Sequence, residues 1–268
     1  MEKKIFSFPL FNIVNRSLEH SNFPDKLKLA DITPIHKKDN RNDKQNYRPV
    51  SILPSISKIF EKIIYFQINQ YFDKKLSKFR CGFRKNFNAQ HCLIVMIEKW
   101  KFSLDKKLSC GALMTELSKA FDCLSHELLI AKLHAYGFNN SSLKLIHSYL
   151  NNRYQRVRIN SKCSTWSQII TGVPQGSILG PLLFNIYDLF FNFEQPDVCN
   201  YADDTVLHAC DQDISALLKY LEHDSYLAIE WFENNYMELN RDKCHLLIPG
   251  FKYQNHWAMV GDAKIWES

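Results

Sequence analysis

The chain of 268 residues has no apolar run long enough to span a bilayer, for which a helix needs about 20 consecutive apolar residues. Its first twenty residues, MEKKIFSFPLFNIVNRSLEH, have a basic start, but Arg16 and Glu19 follow quickly and no small-residue cleavage site is present. These absences disfavour both a membrane protein and a secreted protein. We therefore expect an intracellular protein, nuclear or cytoplasmic, with no membrane partner.

The sequence also has no C-x-x-C pair, no internal repeat and no low-complexity tract. Its eight cysteines are scattered singly, which in a chain of this size indicates reduced core residues rather than a disulfide framework or a zinc site. With 46% hydrophobic and 23% charged residues, the composition is that of a globular protein with a sizeable core, in one large domain or two smaller ones.

Charge is unevenly distributed along the chain, although the net value is only +6. Residues 1–110 carry 22 Lys and Arg against 10 Asp and Glu, whereas the remaining residues carry 12 basic and 18 acidic side chains. The basic part suits a polyanion partner and the acidic part could hold metal ions. Two solvated faces would give the same numbers, so charge alone does not decide.

Capping residues and hydrophobic periodicity predict a mixture of strands and helices without a regular β-α-β alternation, which places the fold in the α+β class. The predicted strands are Ile32–Ile35, residues 108–117, RYQRVRIN, Trp166–Ile170, Leu246–Ile248 and Trp257–Val260. The predicted helices cover Ser57 to about Phe72, Ala89–Phe102, His126–Tyr136, a segment opening at Ser141 or Ser142, Ile178–Phe191 and about Ile214–Phe232; Ser118 can start another.

The strand RYQRVRIN puts Tyr154, Arg156 and Arg158 on one face. An aromatic side chain flanked by arginines suits nucleic acid, and a solvated edge strand would show the same pattern. Both interpretations stay open at this point.

The stretch NYADDTVLHA places two adjacent aspartates, Asp203 and Asp204, among strand-forming residues. Neighbouring carboxylates repel each other, and a bound cation would relieve that repulsion. Glu116 ends another predicted strand, and a β-hairpin turning at the aspartates would present them at its tip. Acidic residues brought to one point in this way provide the oxygen ligands that magnesium ions need to align a hydroxyl and a leaving phosphate.

The chain resembles the reverse transcriptase of non-LTR (LINE-type) retrotransposons, nearest to the jockey-like group. The matching segments, in the family's order and over nearly the whole chain, are TPIHKK, NYRPVSILPSISKIFEKII, CGFRKNFNAQHCL, LSKAFDCLSHELLIAKLHAYGF, RYQRVRIN, GVPQGSILGPLLFNI, YADD and LNRDKCHLLI. The resemblance implies a right-hand polymerase fold, with fingers over residues 1–108 and palm over 109–268. It also implies a fingers-like insertion at about 137–170, and a fragment that stops before the thumb and lacks an endonuclease.

The same resemblance implies an RNA-directed DNA polymerase that adds deoxynucleotides to a DNA primer paired with an RNA template. Two Mg²⁺ ions would serve it, with Mn²⁺ as a substitute. Asp203 matches the principal metal ligand, Asp204 its less directly coordinating neighbour, and Glu116 the other metal-binding position. Lys243 matches a lysine proposed to protonate the pyrophosphate leaving group; it could also only cover a strand edge.

Further residues match nucleotide-binding positions of the family. Arg48, and Lys37 or Lys38, match the side chains that hold the triphosphate, although a solvated role is the default for lysines in such a polar loop. Gln175 and Gly176 match the motif that packs against the incoming nucleotide and the template. Phe121 matches the aromatic residue that crowds the sugar's 2′ position, or is simply part of the core.

One departure from the family pattern concerns catalysis directly, because Glu116 stands where the family has aspartate. Magnesium requires near-ideal octahedral geometry, and a misplacement of ~1 Å at a reacting centre can cost on the order of 10²-fold in rate. The alternative function is therefore a catalytically impaired transposon remnant that binds nucleic acid without turnover. An inert relic is the third interpretation.

Overall fold

The structure is a computed structural model that describes residues 2–77, 79–186, 198–249 and 256–267. Its helices are α1 (Glu2–Glu19), α2 (Ser55–Phe72), α3 (Ala89–Asp105), α4 (His126–Ala135), α5 (Asn140–Leu150), α6 (Leu179–Ile186) and α7 (Ile214–Asn234). Its strands are β1 (Leu29–His36), β2 (Tyr47–Ile52), β3 (Ser109–Ser118), β4 (Arg153–Ile159), β5 (Lys162–Cys163), β6 (Ser167–Ile169), β7 (Val198–Tyr201), β8 (Asp204–Asp211), β9 (Glu238–Leu239), β10 (His245–Leu247), β11 (Trp257–Val260) and β12 (Ala263–Trp266).

These elements form two compact units. The first unit combines residues 1–74 with 121–186, and the second combines residues 75–120 with 187–268. Within the described ranges, no helix has the length and apolarity that crossing a membrane demands.

The sheet of the first unit has the order β2-β1-β4-β5, with β6 also paired to β4. β1 and β2 are antiparallel, whereas β1 and β4 are parallel. Because β4 has neighbours on both sides, the edge-strand interpretation of RYQRVRIN is wrong. Its arginines contact Asp31, at 2.8 Å from Arg156 Nε and 3.4 Å from Arg158 Nη1. Hydrogen bonding by Arg156 is the main reason that the pKa of Asp31 is lowered.

An aromatic cluster lies in the core of the first unit. The ring of Phe23 stacks on that of Phe60 of α2, with centroids 4.8 Å apart, and meets the edge of Tyr149 of α5 at 5.1 Å. All three side chains are fully buried. Large aromatic side chains contribute much of the apolar area that stabilises a core.

The sheet of the second unit has the order β10-β3-β8-β7, with β9 paired to the end of β3. Cys110 and Ala112 of β3 pack in a cluster with Trp100 of α3. On the opposite face, Gly111 lies against α7, and a Cβ added there would come within 2.8 Å of Leu217 Cδ2. Helices therefore cover both faces of β3, which fixes the strand that ends near Glu116.

Several predicted elements are confirmed and others are corrected. α3 begins at the predicted Ala89, because the Asn88 side chain accepts a hydrogen bond from His91 N at 3.2 Å. No helix starts at Ser118, which is the last residue of β3; the next residue, Lys119, has a φ of +48° and leads into a turn. Residues 187–191, the last part of the helix predicted over Ile178–Phe191, lie outside the described residues.

All eight cysteines lie in the described ranges, and four of them are core residues, namely Cys81, Cys110, Cys199 and Cys244. Three others, Cys92, Cys123 and Cys210, are partly buried. Cys163 of β5 is exposed, contrary to the prediction. Cys110 and Cys210 face each other on β3 and β8, with their Sγ atoms 3.0 Å apart. Burial raises the pKa of the Cys110 and Cys81 thiols to about 12.

Candidate active site

The two aspartates lie at a tight hairpin of the second unit. β7 and β8 are antiparallel with Tyr201 opposite Asp204, so that Ala202 and Asp203 form the two-residue turn. Ala202 has a φ of +61°, whereas Asp203 is not in the positive-φ region. A positive φ at the first central position alone is the pattern of a type II′ hairpin, where glycine is the usual residue. The left-handed backbone of Ala202 costs roughly 1–2 kcal/mol, which the surrounding structure must offset.

Glu116 lies directly opposite Asp204 in the β3–β8 register. Side chains of a directly opposed antiparallel pair lie on the same face of the sheet, so both carboxylates are presented there, next to Asp203 in the turn. Burial raises the pKa of Asp204, and the negative charges of Asp203 and Glu116 raise it further, while Lys243 lowers it. The structure therefore brings the three predicted acidic residues together in one electrostatically coupled group.

Lys243 reaches this group because of how the chain runs along β3. β9 pairs with the last two residues of β3, and Asn240 N then donates to Glu116 O at 2.8 Å. After a 3₁₀ turn over residues 241–243, β10 resumes pairing with His245 opposite Met114. This excursion beside Glu116 places the Lys243 ammonium in an ion pair with the Glu116 carboxylate.

The chemistry of this acidic group fits a divalent cation. Carboxylate oxygens are the ligands that Mg²⁺ and similar hard cations prefer, and a cation would relieve the repulsion that raises the pKa of Asp204. In the described parts of the chain, no three or more His, Cys, Asp or Glu side chains are arranged to hold a metal ion. The donors suit a cation, but in this conformation the carboxylate of Glu116 is paired with Lys243.

Gln175 and Gly176 lie in the first unit, in the loop that precedes α6. Ser51 N of β2 donates to Gln175 O at 2.7 Å, and Gln175 Nε2 donates to Asp122 Oδ1 at 3.3 Å. Gly176 has a φ of +116°, and a Cβ there would lie 2.7 Å from Ser51 O. Only glycine fits this close approach, so the loop and the strand that carries Arg48 are fixed to each other.

The predicted triphosphate ligands lie at one end of the β1–β2 hairpin. Arg48 pairs with Ile35, and Lys37 N donates to Asn46 O at 2.8 Å just beyond the paired strands. Arg48, Lys37 and the adjacent Lys38 are all exposed. The basic side chains are therefore available to an anionic ligand, and the choice between the two lysines stays a prediction.

Phe121 is half-buried, and its ring stacks on Phe184 of α6 with centroids 4.9 Å apart. This stacking is consistent with Phe121 as a core residue. Its predicted role beside the sugar of the nucleotide stays a prediction.

A cavity of about 250 Å³ lies in the first unit, and its lining includes Ile32, Ser51, Asp122, Gln155 and Gln175. Half of its lining residues are polar, unlike the predominantly apolar pockets that are typical of small organic ligands.

Two residues of structural importance to these sites were not singled out from the sequence. Glu61 of α2 is fully buried, and its carboxylate accepts hydrogen bonds from Ile178 N at 2.7 Å and Leu179 N at 3.2 Å, at the start of α6. Asn200 of β7 is buried beside the aspartate hairpin. A charged residue on the apolar side of a helix, and an amide within a buried strand, were the available signals.

Comparison with known proteins identifies the family. A family model described as reverse transcriptase (RNA-dependent DNA polymerase) matches residues 35–258.

The chain belongs to the reverse transcriptase family.

Relatives of this reverse transcriptase domain confirm the predicted resemblance to jockey-like elements. It is 33% identical over 226 residues to the probable RNA-directed DNA polymerase from transposon X-element of Drosophila melanogaster, over 82% of this chain and 24% of that protein. It is 31% identical over 248 residues to the RNA-directed DNA polymerase from mobile element jockey of the same species, over 87% of this chain and 26% of that protein. The domain thus spans about a quarter of these relatives.

Solved structures confirm the predicted α+β polymerase fold. Apo telomerase from Candida tropicalis, truncated from its C-terminal domain, superposes with a TM-score of 0.60 at 14% identity, covering 90% of this chain and 54% of that one. Candida albicans telomerase in complex with a TWJ fragment of telomeric RNA gives 0.58 at 13% identity, over 96% and 49%.

Proposed function

We propose that this reverse transcriptase domain is an RNA-directed DNA polymerase that adds deoxynucleotides to a DNA primer paired with an RNA template. The observation that carries the proposal is the grouping of Glu116, Asp203 and Asp204 where β3 and β8 end at the hairpin. The family is one of nucleotidyltransferases that depend on divalent metal ions, and this acidic group is the part of the domain suited to such ions.

Asp203 and Glu116 would hold two Mg²⁺ ions, with Asp204 as the less direct ligand and Mn²⁺ as a substitute. When bound, such ions align the attacking hydroxyl and stabilise the charge that develops on the transferred phosphate. The strained turn at Ala202 supports this assignment, because strained backbone is concentrated at functional sites.

Lys243 has two tasks in this proposal. Its ammonium neutralises Glu116 while the site is empty of substrate, which limits repulsion among the three carboxylates. During the reaction, Lys243 Nζ supplies a proton to the pyrophosphate leaving group. The partial exposure of its side chain, 44%, is compatible with a group that moves between these partners.

The triphosphate would be held by Arg48 and by Lys37 or Lys38. A guanidinium offers a fork of donors to phosphate oxygens, and an ammonium acts as a point charge. Gln175 and Gly176 would pack against the incoming nucleotide and the template, and Phe121 would crowd the sugar's 2′ position. The contacts of the Gln175 loop with Asp122 and Ser51 support this role, since they fix the loop at one wall of the cavity.

The division into fingers over residues 1–108 and palm over 109–268 belongs to the same proposal. Parallel pairing of β1 with β4 joins residues 29–36 to residues 153–159 in one sheet, which supports the fingers-like insertion at about 137–170. The excess of basic residues before residue 110 suits an RNA template and a DNA primer, whose binding should weaken steeply as salt concentration rises.

Primer extension on an RNA template with Mg²⁺ or Mn²⁺ tests the proposal. We expect extension by the native domain and none by Asp203→Asn, with primer–template binding retained in both. Salt-sensitive binding without extension by the native domain would instead establish the nucleic-acid-binding alternative. Extension that persists in Asp203→Asn would show that the activity does not belong to this site.

A further inference from the structure

Asn200 holds the backbone on both sides of Asp203. It is the third residue of β7 and is 5% exposed. Its side-chain Nδ2 lies 3.1 Å from Ala202 O, 3.1 Å from Asp204 O and 3.0 Å from Thr205 Oγ1. Two of these acceptors are the peptide carbonyls that flank Asp203, so one amide group ties the two ends of the catalytic turn together.

The orientation of this amide is fixed by its surroundings. Carbonyl oxygens only accept hydrogen bonds, so a flipped amide would direct Asn200 Oδ1 at two other acceptors. In the orientation observed, Oδ1 is buried with no hydrogen-bond partner among the described residues. A buried amide oxygen without a partner is costly. In this orientation, however, both carbonyl groups of the turn keep their hydrogen bonds from Nδ2.

A second segment supports the hairpin from behind. Residues 79–82 run beside β7, with Asn200 N donating to Phe79 O at 3.1 Å and Cys81 N donating to Asn200 O at 2.9 Å. This brings Gly82 against the turn itself, where an added Cβ would lie 2.2 Å from Ala202 N and 2.9 Å from Ala202 Cα. Any side chain at position 82 would therefore have to displace the backbone next to Asp203.

We propose that Asn200 is a positioning residue for the catalytic aspartates. Gly82 supports the same turn by packing against the backbone of Ala202. The proposal rests on the proposed polymerase function, because it assigns Asn200 a role through Asp203. Asn200 touches neither substrate nor metal ion in this scheme. It fixes the strained Ala202–Asp203 turn, and through it the place of the Asp203 carboxylate.

The kinetic test compares Asn200→Leu, which keeps the size of the side chain and removes its donors, with Val198→Ala in the same strand. Val198 is equally buried but lies at the far end of β7. Loss of the Asn200 hydrogen bonds should lower kcat by about 10- to 10²-fold, because a misplacement of roughly 1 Å at a reacting centre has a cost of that order. The Mg²⁺ concentration for half-maximal rate should rise, while the KM for the nucleotide should stay within about twofold of that of the control.

Hydrogen exchange provides a readout that does not depend on activity. Asn200→Leu should accelerate amide exchange over residues 201–205 far more than Val198→Ala does, at matched global stability in urea. Gly82→Ala should reproduce the acceleration, because it displaces the same turn from the other side. If the native domain extends no primer, the proposed polymerase function fails, and the exchange data still decide whether Asn200 fixes the turn.

Two results would overturn the inference. One is a kcat for Asn200→Leu no lower than that of Val198→Ala. The other is unchanged exchange over residues 201–205 in Asn200→Leu.

Discussion

Shortening Glu116 to aspartate should increase catalysis by this domain. The carboxylate of Glu116 is paired with the Lys243 ammonium. Aspartate, which the resemblance to the family predicts at this position, is one methylene shorter and would retract the carboxylate by up to about 1.5 Å. That retraction takes the group away from Lys243 and towards the position that the resemblance predicts for the metal-binding carboxylate. Because a misplacement of ~1 Å can cost on the order of 10²-fold in rate, we expect Glu116→Asp to raise kcat by up to about that factor.

The stability cost of this change should be small enough not to obscure it. The Glu116 and Lys243 side chains are 30% and 44% exposed, and partly exposed ion pairs contribute at most about 1 kcal/mol. For a chain of this size, that corresponds to a fall in Tm of roughly 2–4 °C. The protein should therefore stay folded at assay temperatures.

Single-turnover primer extension with Mg²⁺ measures the effect. Glu230→Asp, on the exposed surface of α7, is the matched control for the same chemical change and should leave the rate unaltered. Lower extension by Glu116→Asp than by the native domain would refute the reasoning, since it would mean that the site has adapted to glutamate. If neither protein extends the primer, the defect does not lie at this carboxylate.

Three further predictions concern stability. The pKa of Asp204 is raised in the folded state, so the native protein binds the carboxyl proton more tightly than the unfolded chain does. Stability should therefore fall as pH rises through the raised pKa and Asp204 ionises. Asp204→Asn should therefore raise Tm at pH 7, by a margin that shrinks towards pH ~4; a lower Tm at pH 7 would contradict this. The His126 Nε2–H donates a hydrogen bond to the buried Gly172 O at 2.7 Å, and burial lowers the pKa of His126, so stability should fall as pH drops below ~6.5. Thermal unfolding of His126→Gln should show a flatter pH profile, and an unchanged profile would exclude His126 as the cause. Glu61→Ala should cost about 3 kcal/mol in urea unfolding, because it strips partners from buried N–H groups at the start of α6; a loss below ~1 kcal/mol would show that water replaces the carboxylate.

Local sequence patterns were sufficient to predict much of this fold. The apolar spacing along α2 and α3 depends on residues three or four apart. The adjacent aspartates in a strand-like stretch marked the hairpin, since a carboxylate pair there needs a compensating partner. The prediction from local sequence was wrong at Ser118. There, β3 extends one residue beyond its predicted end, and Lys119 with a positive φ leads into a turn in place of the predicted helix.

The remaining features depend on contacts between distant parts of the chain. Pairing of β1 with β4, and the approach of Lys243 to Glu116, join segments more than a hundred residues apart. Hydrophobic period and capping carry no information on such pairings. Gly82 was overlooked for the same reason, because it acquires its role only when residues 79–82 lie against β7. Asn200 bonds residues only two to five positions away, but the hairpin has to form before its side chain can reach them.

The exposed thiol in β5 makes this protein suited to chemical labelling without engineering. Thiol reagents attack the thiolate, and burial disfavours that form at Cys81 and Cys110, whereas Cys163 is exposed. A maleimide dye at neutral pH should therefore attach at Cys163 ahead of the buried thiols. The dye would lie on the hairpin of β4 and β5, in the unit that also carries Arg48 and Gln175. Its fluorescence would therefore test the proposed nucleic-acid binding without any change to the sequence.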